Sequence, residues 1–160
     1  MKIQWELKQK DFIEGINLFY VQIDSLLTPI KNKGLLSIDF AEHWISEEYV
    51  GKYKTQKMII IFQDQNVTLV PVGTNILGAF GRIDMQGLGG EVKFLWVAKN
   101  TAQHIINSFI NSNTKSKSEI NPLVPPEERV WKIATPPPHI NFIELNEDSF
   151  SDALLGVIYD

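Results

Sequence analysis

Arg82 and Asp84 stand two residues apart in the run Gly81–Gln86, GRIDMQ. On a strand, positions i and i+2 project from the same side, so a guanidinium and a carboxylate share one face there. Turned inward, such a pair is a polar anchor for a ligand pocket. Turned outward, it is ordinary solvated alternation. Arg82 is one of only two arginines in the chain. His104 and His139 are the other polar side chains that a small-molecule pocket would use.

His43 and Glu47 lie at i and i+4, beside Glu42 and Glu48. On a helix this spacing offers two metal ligands, but a zincin-type helix needs a second histidine that is missing here. An exposed acidic face is the better reading. The glycines of Gly87-Leu88-Gly89-Gly90 do not make a phosphate cradle. A cradle needs a helix N-terminus after the glycines, and the next residues, EVKFLWV, make a strand. A hairpin turn accounts for them. No serine sits in a Gly-x-Ser-x-Gly elbow, and Ser108, Ser112 and Ser149 suit helix, loop or cap duties. Asp84, Glu91 and Glu144 could converge as a pair of acids for glycoside hydrolysis, yet among 19 acids their spacing singles out none. Trp131 and Pro137 flank the end of a polar stretch and a proline run. An indole at such an edge can anchor a protein partner, while core packing is its commoner use.

These residues depend on a sheet. From Lys57 to Val97 the chain alternates β-branched and aromatic runs with turn residues, which predicts consecutive strands at Met58–Gln63, Val67–Val72, Gly81–Gln86 and Glu91–Ala98, paired as antiparallel hairpins. Pro71 predicts an edge position or a bulge. Leu35–Phe40, Trp131–Ala134 and Ile140–Leu145 read as further strands, with Pro136-Pro137-Pro138 as a stiff extended spacer. Ile13, Ile16, Tyr20, Ile23 and Leu27 recur at helical spacing, so a helix is expected from a cap at Asp11 to a stop near Thr28, before Pro29. Lys2–Leu7 reads as a short strand or lead-in, and Glu42–Tyr49 as a short helix. Residues 101–110 are read as a helix, with a strand as the alternative, and 111–128 as a mobile loop. A closing helix starts after Asn146, which caps it, with Glu147 and Asp148 in the first turn.

The chain has 160 residues, 44% of them hydrophobic, and a net charge of −4. That is enough for one domain with a real core. The charge leaves no basic footprint for nucleic acid or an anionic membrane surface. No cysteine is present, which excludes disulfides, thiolate catalysis and Cys-ligated zinc. The N-terminal residues lack the features of a secretory signal, and no window is apolar enough for a membrane helix. Cytosolic residence is expected, and the excess of Lys over Arg with abundant Ile and Asn hints at an AT-rich, bacterial genome.

The expected fold is a single α+β domain, a mainly antiparallel sheet of five to six strands packed by an N-terminal and a C-terminal helix. The expected function is non-enzymatic binding through a protein surface, antitoxin-like or immunity-like by composition only, with no cofactor and no metal. The alternative is a small-molecule domain, or an enzyme, with a pocket between sheet and helices. A third reading is a subunit that self-associates by pairing sheet edges.

Overall fold

The computed structural model describes residues 2–76, 78–100 and 124–158. Helix α1, Lys2–Asn32, opens the chain. Strands β1 Ser37–Glu47, β2 Gly51–Ile61, β3 Asn66–Gly73, β4 Gly81–Gly87, β5 Gly90–Ala98, β6 Arg129–Ala134 and β7 Phe142–Glu144 come next, and helix α2, Glu147–Val157, closes it. The strands form one seven-stranded sheet in chain order, each antiparallel to the next. The α+β architecture is the expected one, with seven strands among the described residues in place of five to six.

The additional strand length lies around residues 41–53, within which the sequence predicts a short helix over Glu42–Tyr49; β1 and β2 take its place. Ile45 and Tyr53 are buried between exposed neighbours, which is period-two patterning on paired strands. Tyr49, at φ 69°, and Gly51, at φ 99°, turn the chain tightly enough to set Glu47 opposite Gly51. Helix α1 starts at Lys2, so Asp11 lies inside it and is no cap. Its first turns are held by the tip of the β1–β2 hairpin: Gln9 Nε2 donates to Val50 O at 2.5 Å, and Trp5 stacks on Tyr49. Pro29 falls within the last turns without ending the helix, where few intrahelical bonds remain to be lost.

The core lies between α1, α2 and one face of the sheet. Phe12, Phe19, Ile23 and Leu27 meet Met58, Leu69, Phe94 and Trp131 there. Gly15 lets the ring of Trp96 touch the helix backbone; a Cβ at this position would sit 2.7 Å from ring carbons. Trp131 Nε1 donates to Gly15 O at 2.9 Å, and the two indoles stack with centroids 5.8 Å apart. A mid-helix glycine costs about 1 kcal/mol relative to alanine, and this contact is what it permits. Helix α2 has the expected Asn146 cap, with Ser149 completing a reciprocal capping box, and it buries Phe150, Leu154 and Val157. The Gly87–Gly90 turn is the expected hairpin, and Gly89 N donates to Val157 O at the end of α2.

On the opposite face a smaller cluster of Ala79, Leu95 and Val97 is covered by Ile76, Val130, Ala134 and Phe142. Pro71 lies beyond the last β2·β3 pair, Met58↔Leu69, and at a register shift against β4, so the proline faces no ladder on the β2 side. The reading of residues 101–110 and most of the expected loop falls outside the described residues. The end of that loop is a 3₁₀ turn, Pro126–Glu128, fixed by Arg129 Nε and Nη2 donating to Val124 O.

Candidate functional site

Arg82 and Asp84 project from the sheet face opposite α1. Asp84 is 4% exposed. Its two carboxylate oxygens accept from Arg82 Nε and Nη2, both at 2.7 Å. This bidentate geometry is the strong form of the pair, and the hydrogen bonding from Asp84 raises the Arg82 pKa above its ordinary value. Among the described residues Asp84 is the only hydrogen-bond partner of Arg82, so guanidinium donors remain for another acceptor.

Arg82 lines a groove of about 680 Å³, which exists because a ladder stops early. The β5·β6 pairing ends at Lys93↔Ala134, whereas β5 continues along β4 to Gly90. Past Ala134 the chain leaves the sheet through the proline turn, and no strand among the described residues fills the gap beside Glu91 and Val92. The turn is braced across its base: Thr135 N donates to Asn141 O at 3.0 Å, and Asn141 N donates to Thr135 Oγ1 at 2.6 Å. Pro136, Pro137, Ile140 and Ile143 form one wall, and Ser149, Asp152 and Ala153 of α2 form another. The groove therefore passes through the plane of the sheet, from the Arg82 face to the α2 face. Its lining is mainly apolar, and its volume falls in the ~300–1,000 Å³ range of ligand sites. A smaller hollow of about 240 Å³ lies between α1 and β2, at Ile13, Asn17 and Gln56.

The residues singled out from sequence separate. Arg82 and Asp84 form the pair, and Arg82 and Pro137 line the groove. His139 is exposed in the turn, where its carbonyl accepts from Thr135 Oγ1, and it does not reach the groove. His104 lies outside the described residues. Trp131 is 3% exposed and packs in the core, so it offers no surface to a partner; its alternation with Val130 and Lys132 directs it under α1. Sequence reasoning missed the α2 residues and the open edge at Glu91–Val92, because strand register creates both.

The His43–Glu47 spacing falls on a strand, and both side chains are occupied. His43 Nε2 donates to Pro71 O at 2.9 Å. Glu47 Oε1 accepts from Thr74 N at 2.7 Å, Thr74 Oγ1 at 3.0 Å and Asn75 N at 2.9 Å, and Glu47 Oε2 accepts from Tyr53 Oη. The carboxylate binds the β3–β4 connection to the hairpin, which is a structural duty. Burial first, then Glu47, pushes the Tyr53 pKa well above the ordinary phenol value.

No protein-family model matches the chain, and neither a curated protein nor a solved structure matches it. Among the described residues no helix is long and apolar enough to cross a membrane.

Proposed function

We propose that the protein is a non-enzymatic binding protein that holds an amphipathic small molecule in the groove at the interrupted β5·β6 ladder. The sequence puts a protein-binding surface first and a small-molecule pocket second; the groove favours the second. The observation that carries it is the combination of a mainly apolar volume of about 680 Å³ with one guanidinium held in place by a buried carboxylate. Preorganised polar groups in an apolar pocket fix a ligand's orientation, while the apolar walls provide most of the binding free energy. The ligand's apolar body would lie against Ile133, Pro136, Pro137 and Ile143, with a hydrogen-bond acceptor turned toward Arg82. A cytosolic setting is part of the proposal, since a fold built without cysteine suits a reducing compartment.

The probe 8-anilinonaphthalene-1-sulfonate has this chemistry, an aromatic body with one anionic acceptor. The wild-type protein is expected to bind it with enhanced, blue-shifted emission. Ala153→Trp, which fills the groove from α2, abolishes binding, and Arg82→Gln weakens it by about tenfold, the worth of one charge-assisted hydrogen bond. Equal dye binding by wild type and Ala153→Trp, both with unchanged circular dichroism, would refute the assignment.

A further inference from the structure

We propose that the outer edge of β1, which no strand covers among the described residues, pairs with β1 of a second copy of this chain, antiparallel about a two-fold axis at Ala41, joining two sheets into one. The inference is independent of the groove. It starts from an edge that is long and regular. Edge strands in native proteins are kept short or carry proline, charged side chains (lysine above all) or a bulge that blocks pairing. β1 runs eleven residues, SIDFAEHWISE, with no proline, no lysine and an unbroken register against β2 from Ser37↔Ile61 to Glu47↔Gly51; its charged residues are Asp39, Glu42 and Glu47, and Glu47 is engaged with Thr74 and Tyr53.

The outward backbone groups can be assigned. Phe40 N–H donates to the carboxylate of Asp39 at 2.8 Å, so it is turned away from β2. His43 O lies on the β2 side, where Thr55 Oγ1 reaches it at 3.0 Å. By the alternation of an antiparallel ladder, Ile38, Phe40, Glu42 and Trp44 then turn their N–H and C=O groups to the open side, and the Phe40 N–H must exchange its bond with Asp39 for one to the second copy. The same positions carry exposed apolar surface, with Trp44 52% and Phe40 42% exposed. On α1, Val21 is 69% exposed and lies one turn after Asn17, which faces β2 across the small hollow.

With a second copy as the occupant, the register at Ala41 follows from what each axis sets face to face. Pairing about Ala41 sets Ile38 opposite Trp44 of the other copy, Phe40 opposite Glu42, and Asp39 opposite His43. Each match occurs twice, as a two-fold requires. The axis falls on a non-hydrogen-bonded pair, where Cα atoms approach to about 4.5 Å, and alanine fits that approach. Pairing about Glu42 would instead set Glu42 against its own copy, and like charges directly opposite are unfavourable. In the favoured register Glu42 keeps its contacts with Lys54 and Trp44.

The test is sedimentation velocity of the full chain from about 1 µM to about 1 mM, where mass action must reveal a dimer of this kind. Wild type is expected to convert from monomer to dimer. Glu42→Pro removes one outward N–H and leaves the β1·β2 ladder intact, so it stays monomeric with unchanged circular dichroism. The register is read by cysteine pairing in a chain that has no other thiol. Ala41→Cys brings two Cα atoms within the ~4.4–6.8 Å of a disulfide and cross-links on oxidation, whereas Ser37→Cys, far from the axis, does not. A wild type that is monomeric throughout, a Glu42→Pro variant that dimerises as wild type does, or Ser37→Cys cross-linking as readily as Ala41→Cys would each overturn the proposal.

Discussion

At one side of the sheet the last strand, β7, is three residues long, is preceded by three consecutive prolines and runs at once into the capped start of α2. At the other side β1 is eleven residues long, unbroken in register and carries Phe40 and Trp44 in the open. The two edges are also secured by different means. Besides its ladder with β6, β7 has local devices beside it, a braced turn and a helix cap. The β1–β2 hairpin is held by long-range contacts: Glu47 to the β3–β4 connection, His43 to Pro71, Tyr20 to the backbone of Gln56, and Gln9 to Val50. Among the described residues the short edge is flanked by its own turn and cap, and the long edge is secured from behind with no strand in front of it.

The largest expected effect attacks the long-range side. Glu47→Ala leaves the Thr74 amide and hydroxyl and the Tyr53 hydroxyl without their acceptor in a buried setting, at a cost of about 4 kcal/mol. Urea unfolding measures the loss, and hydrogen exchange should show the β1–β2 hairpin losing protection before β6 and β7. If protection falls uniformly, the hairpin is not a separately secured unit.

Alkali should strike the same side. Burial raises the Tyr20 pKa well above the ordinary value, and burial with Glu47 does so for Tyr53. Folded chains therefore keep two protons that unfolded chains release above about pH 10. The stabilisation from these phenols is complete below that pH and is lost as the pH climbs toward the folded values. Each tyrosine then lowers stability by about 1.4 kcal/mol per pH unit, so the pair lowers it by about 3 kcal/mol at pH 11. Absorbance near 295 nm should show both phenols ionising together with unfolding and not before it.

On the local side, Asn146→Ala removes one half of the capping box and should cost about 1 kcal/mol, read from the urea midpoint with an unchanged slope. Smallest of all is Glu42→Pro on the open edge. Measured at dilution, where the chain is monomeric, it should alter stability by less than about 0.5 kcal/mol, because an exposed ion pair is worth little and an outward N–H is not needed by the ladder. A large loss there would mean that β1 already uses its outer backbone groups within one chain.

The same division explains what could be read from sequence. Elements made by neighbours in the chain were legible: the strands from Met58 to Ala98, the Gly87–Gly90 hairpin, and α2 with its Asn146 cap. The first turns of α1 were not, since Trp5 and Gln9 find their partners at Tyr49 and Val50, far along the chain. The hairpin over residues 41–53 was hidden because helix-forming Glu and Ala residues outweighed a buried alternation of Ile45 and Tyr53 that emerges only when the strands pair. Of the groove, the Arg82–Asp84 pair was visible from its spacing. The opening itself was not, because it depends on β6 leaving its neighbour at Ala134, and no residue near that point announces the departure.

The indole stack of Trp96 and Trp131, inclined by only 11° and sealed from water, has an optical consequence. Two transition dipoles held so close should couple, giving the folded chain a signed near-ultraviolet dichroism that vanishes when α1 lifts off the sheet. Trp44, bathed in solvent at the rim, emits at longer wavelength and shifts to the blue only when something covers it. One molecule thus carries separate colours for the integrity of its interior and the occupancy of its margin, and both can be followed in a single cuvette without any added dye.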